Sequence, residues 1–217
     1  MYLQVLYHKA LNSNDNELVE AGYECMKKFI SGFQVDMDTV QQFTGQMLRT
    51  LQDYRNLNIN FITRLCYLAE LFPTVFSERL SDQLLQLLKK WLEAALVGSK
   101  TQQPVPQGAN KVVGQVGVGG GQPQLKVAAA IVKLFTKIPP PSEPAKVILP
   151  LSKLILTTEK TLLIEPGSIL RAPLKAYLRK FPSEAVDFFL TADSAKGWIH
   201  QSSLSDLNSD LGRISSN

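Results

Sequence analysis

The 217-residue chain holds only two cysteines, two histidines and two tryptophans, and this scarcity removes whole classes of chemistry. Metal centres need clustered ligands, and nucleophilic catalysis needs a base beside the nucleophile. His8 and His200 stand near opposite ends and Cys25 and Cys66 on separate helical patterns, so no CxxC, HExxH or Cys/His set can be drawn. No metal or cofactor is expected. Each cysteine falls in an apolar helical stripe and no Asn-x-Ser/Thr sequon occurs, which points to a reducing compartment. No uncharged apolar run approaches the roughly 18 residues of a membrane helix. The start Met1-Tyr2-Leu3-Gln4 has no basic region leading into an apolar block, so neither a membrane span nor a signal peptide is indicated.

Two glycine motifs fail on context. Gly98-Ser99-Lys100-Thr101 has a serine between glycine and lysine, no glycine five residues earlier, and helix before it where a phosphate loop needs a strand. Gly117-Val118-Gly119 likewise follows no strand, so it is no dinucleotide fingerprint. The carboxylate pairs Asp36/Asp38 and Asp206/Asp210 are explained by a helix start and by solvated coil. No catalytic residue emerges, and the expectation is a protein without enzymatic activity.

What is present is helix. Asn58 to Val97 carries one helical pattern (Ile59, Ile62, Leu65, Ala69, Phe72), a break at Pro73, and a longer one through Leu80, Leu84, Leu88, Leu92 and Ala95. The second stripe recurs at the 3.6-residue period, with Arg79, Gln83, Gln86, Lys90 and Glu93 off it. Neither helix buries such a stripe alone. Residues 1–11 are helical in pattern without a cap, as in a chain met inside a helix. Asn14, with Glu17 three residues on, predicts the start of a helix over Leu18, Ala21, Gly22, Cys25, Met26 and Phe29. Asp36 predicts a cap for the next, through Val40, Phe43 and Met47. Helix is expected again at Leu125–Ile138, at Ala145–Thr158 with Pro150 bending it, at Ser168–Phe181 and from Ser183.

The first helices of these pairs begin at Asn14, Asn58, Leu125 and Ser168, at intervals of 44, 67 and 43 residues. Residues 99–124 hold six glycines and three prolines, too many for stable helix at about 1 and 3 kcal/mol each. Removing that stretch brings the middle interval to about 41, inside the period of roughly 40–47 residues for HEAT and armadillo repeats. Three turns share an aromatic and a proline: Leu71-Phe72-Pro73, Leu134-Phe135 with Pro139, and Lys180-Phe181-Pro182. The expected fold is therefore an all-α, HEAT/armadillo-like solenoid. Its organisation is repeats over 1–98, a flexible Gly/Pro-rich insertion over 99–124, repeats over 125–192, and a polar, weakly ordered tail over 193–217.

Net charge is +4 but uneven: residues 1–98 carry 9 Lys/Arg against 11 Asp/Glu, and residues 99–217 carry 14 against 8. Lys126 and Lys133 are seven apart, as are Lys146, Lys153 and Lys160, so each set follows one helix face. Together they are the candidate partner-binding residues, a basic ridge suited to acidic segments. Few aromatics interleave with them, which argues against direct nucleic-acid binding.

Several segments carry a resemblance in their order and spacing. They are Glu24-Cys25-Met26-Lys27-Lys28-Phe29, Asp53-Tyr54-Arg55-Asn56-Leu57, Leu71-Phe72-Pro73 leading to Leu88-Lys89-Lys90-Trp91-Leu92-Glu93, and Arg171-Ala172-Pro173-Leu174 leading to Phe181-Pro182-Ser183. Together these resemble the transformation/transcription domain-associated protein family, giant pseudokinase scaffolds related to the phosphatidylinositol-3-kinase-like kinases. The resemblance implies a piece of the family's long HEAT solenoid, outside its pseudokinase end, so no catalytic position carries over. It also implies a nuclear setting in histone acetyltransferase coactivator complexes, with complex subunits and transcription activators, some of them acidic, as partners. A HEAT stretch of an active kinase of that superfamily, or of a transport factor, is the alternative.

Overall fold

The computed structural model describes residues 5–51, 53, 57–77, 79–100, 122–164 and 168–191. The tail 193–217, His200, the pair Asp206/Asp210 and most of the expected insertion lie outside the described residues. Among the described residues there are eight α-helices: α1 (Asn16–Gly32), α2 (Met37–Thr50), α3 (Ile59–Leu71), α4 (Arg79–Lys100), α5 (Gln122–Phe135), α6 (Ala145–Leu162), α7 (Arg171–Leu178) and α8 (Pro182–Thr191). A widened, π-helical turn at Leu6–Leu11 precedes them.

Local chemistry sets the helix starts. Ser13 Oγ accepts from the Asp15 N–H at 3.0 Å and closes the bend before α1, so Asp15 becomes the cap where Asn14 was expected. The Asp15 carboxylate accepts from the N–H groups of Glu17 and Leu18. Asp36 caps α2 as its position predicts, accepting from the Asp38 N–H at 3.1 Å and the Thr39 hydroxyl at 2.6 Å. Asn58 caps α3 through the Phe61 N–H at 2.9 Å. α5 opens at Gln122, ahead of the expected Leu125, with Pro123 in its first turn, where a missing N–H costs nothing. α6 runs through Pro150 and beyond Thr158 to Leu162, ending on Leu163 in the left-handed conformation at φ 55°.

Apart from α2, which meets the turn Pro73–Val75, the helices pack on the one two places along the chain. α1 lies on α3, α3 on α5 and α5 on α7; in a second layer α4 lies on α6 and α6 on α8. α4 also crosses to α5, joining the layers on either side of the expected insertion. Such packing of repeats against their neighbours is the architecture of a HEAT-type α-solenoid. One continuous apolar core runs through it, with Ile62, Leu65, Leu84, Leu88, Ile131, Leu134 and Ile148 fully buried. Phe72 and Phe135 of the shared turn signature are buried, and Tyr177 links Phe135 and Phe181 edge-on at 5.7 and 5.3 Å.

The buried face of α1 is rotated from the expected one. Val19, Gly22, Tyr23 and Met26 are buried, whereas Leu18 and Cys25 are exposed. Gly22 selects this face, because a Cβ there would stand 2.5 Å from the Ala10 Cβ of the N-terminal turn. Arg64 of α3 holds that turn from the other side, donating to Asn12 Oδ1 at 2.6 Å and to the Ser13 carbonyl at 2.7 Å.

A charged pair sits between α6 and α7. Glu159 is fully buried and accepts from Arg171 Nε at 2.6 Å. Burying a carboxylate costs several kcal/mol unless a cation compensates it.

Gly22→Ala is expected to destabilise the chain by roughly 1–3 kcal/mol, since the Ala10 Cβ is fixed to backbone and must move with it. Denaturant unfolding measures this, and an unchanged midpoint would show that the N-terminal turn yields freely. Arg171→Met alone leaves a buried carboxylate and is expected to cost about 3–5 kcal/mol. Adding Glu159→Leu should recover most of that loss in the same assay.

Candidate interaction surface

The layering separates the lysines that the sequence spacing picks out. Lys126 and Lys133 are exposed on α5, in the layer of α1, α3 and α7, while Lys146, Lys153 and Lys160 are exposed on α6, in the layer of α4 and α8. They form two rows, one on each layer. Lys146 pairs with Glu143 at 2.7 Å, and this hydrogen-bonded carboxylate, with Asp82 adding to it, holds the ammonium's pKa above the ordinary lysine value.

The α5 row borders a groove of about 350 Å³ between α1, α3 and α5. Tyr23 and Tyr67 stack at 4.5 Å along it, and the Lys27 ammonium lies 5.7 Å from the centre of the Tyr23 ring. Glu70 of α3 meets Lys137, in the turn after α5, at 2.6 Å. The Lys137 hydrogen bond depresses the Glu70 carboxyl below its ordinary range. Burial, with the nearby Glu70 carboxylate adding to it, pushes the Tyr23 phenol up to about 12.

Sequence spacing missed Lys137, four residues beyond Lys133 in the turn that follows α5, because it falls outside the seven-residue row. Lys27 and Glu70 had no signal either, because only folding brings α1 and α3 beside α5. Lys133, Lys137 and Lys27 set three cations against Glu24 and Glu70 around the groove. That mixture suits protein contact better than a phosphate backbone, which calls for uncompensated positive charge.

Cys66 lines the floor of the groove, and burial pushes its thiol up to about 12 against the opposing pull of Lys133 and Lys137. A thiol that stays protonated is a poor nucleophile. Among the described residues no three His, Cys, Asp or Glu side chains come together as metal ligands, and no helix is long and apolar enough to cross a membrane.

Comparison with known proteins places this architecture. The model of the Tra1 HEAT repeat ring region matches residues 3–206. The chain belongs to that family. It is 35% identical over 187 residues to the human transformation/transcription domain-associated protein, covering 84% of this chain and 5% of the relative. It is 36% identical over 183 residues to transcription-associated protein 1 of Drosophila melanogaster, covering 84% and 5%. A probable transcription-associated protein 1 of Dictyostelium discoideum is 24% identical over 185 residues, covering 85% and 4%. The chain thus spans about a twentieth of the curated relatives it matches. Membership in the Tra1 ring family agrees with the resemblance carried by the sequence segments.

The two thiols are expected to differ sharply toward alkylating reagents. Cys25 of the native chain should react promptly and Cys66 only on unfolding, so thiol titration should read one group natively and two in denaturant. Two fast native thiols would show that the α1–α3–α5 groove opens down to its floor.

Proposed function

We propose that this stretch is a non-catalytic part of a nuclear transcription scaffold, offering its surface to other proteins. The observation that carries the reading is the family's HEAT stack: stacked pairs bury their apolar stripes on one another and leave two long polar faces to solvent. The relatives' names associate them with transcription, which supports the nuclear setting. The partners that fit are subunits of histone acetyltransferase coactivator complexes and acidic segments of transcription activators. Charge points to the second kind: Lys146, Lys153 and Lys160 line one exposed side of α6 at seven-residue spacing. An acidic helix laid along that row would meet one ammonium about every 10.5 Å, the advance of seven residues at 1.5 Å each. Lys126 and Lys133 offer a second, shorter row on the other layer.

Affinity purification of the full-length protein tests the reading. The parent is expected to recover acetyltransferase subunits, and failure to do so would sink the scaffold assignment. With Lys146, Lys153 and Lys160 all changed to Glu, recovery of an acidic activator at low salt should fall by roughly tenfold or more, a loss of about 1.4 kcal/mol. Unchanged recovery would remove the α6 row from the interface while leaving the scaffold role intact.

A further inference from the structure

Glu70, near the end of α3, and Lys137 and Lys180, each two residues past the ends of α5 and α7, lie along one layer of the stack, and each reaches a neighbouring helix or its turn. Glu70 pairs with Lys137 at 2.6 Å, and Lys180 donates to the Thr136 carbonyl, next to Lys137. The result is a polar strap across the junctions α3/α5 and α5/α7.

We propose that this strap is a salt-sensitive coupling that sets the angle between successive repeats. The apolar contacts beneath it bury the same surface over a range of small rotations, because they are non-directional. An ion pair is not so tolerant: it draws its two helices together on one side. Glu70 and Lys137 are 39% and 33% exposed, so their attraction is screened by dissolved ions, unlike that of the buried Glu159–Arg171 pair. The open groove of about 350 Å³ lies between the strapped helices, giving them room to close or spread without breaking the core. Strengthening the strap narrows the groove; screening it lets α3 and α5 fan apart.

Spin or dye labels on the exposed native Cys25 of α1 and on Ala176→Cys of α7 would read this directly, since Cys66 is buried. Salt is raised from about 0.01 M to about 1 M, over which the screening length falls from about 30 Å to about 3 Å. The expected result is a distance that lengthens by a few ångströms in the parent. With Glu70→Gln and Lys137→Gln together, the distance should be long and flat at every salt concentration. The exchanged pair, Glu70→Lys with Lys137→Glu, should restore the salt response, which separates electrostatic coupling from general damage. A distance independent of salt in the parent, or an equal response in the paired Gln variant, would overturn the proposal.

Discussion

Everything in this stack depends on helices finding apolar partners one or two places along the chain. The stripe of α4 is the clearest case. Leu80, Leu84, Leu88, Leu92 and Ala95 are all nearly or fully buried, with α5 and α6 both packed against the helix that carries them. At about 1.5–3 kcal/mol for each large side chain removed from water, these stripes outweigh the exposed ion pairs among the described residues. The same constraint explains why a long Gly/Pro-rich stretch is tolerated between α4 and α5. The two helices still meet directly, and lengthening a loop costs only about 0.6 kcal/mol per doubling.

Two ion pairs show how depth divides the work of electrostatics. Glu159 has no exposed surface, so its pairing with Arg171 fixes one relation between α6 and α7 and penalises any other. Glu70 pairs across α3 and α5 at the edge of water, where exposed pairs contribute about 0–1 kcal/mol. One pair specifies the packing and the other biases it. Their positions follow from the layers: Glu159 is on the face of α6 that meets the core, Glu70 on the outer side of α3.

Helix periodicity, the cap Asp36 and the helix start at Asn58 were legible in the chain because each is a local rule with one outcome. The buried face of α1 was not. Gly22 and Met26 of the expected stripe are buried, but Leu18 and Cys25 give way to Val19 and Tyr23, and the close approach of Ala10 to Gly22 is a tertiary contact that no helical period contains. The lysine rows were visible as seven-residue spacings, but nothing in a spacing says which layer a helix joins. Lys137 and Glu70 were harder still. Their 67-residue separation becomes a repeat interval only once the Gly/Pro-rich stretch is set aside, and their contact depends on how closely α3 and α5 lie.

A stack in which each helix touches mainly its neighbours has a mechanical consequence that a compact domain lacks. In a compact domain a local rotation is resisted by contacts from many directions. Here a rotation at the α1/α3 junction meets resistance only from the elements at that junction, and α5 and α7 follow it as a rigid lever. Small energies at one repeat position therefore become displacements several repeats away. A row of modest polar contacts along one layer is suited to control such a lever: each is too weak to hold the fold, yet acts at the outer edge of a junction, where leverage is greatest. Partners that engage Lys133 or Lys137 from solvent would act on the same edge, so surface recognition and the angle between repeats are mechanically linked.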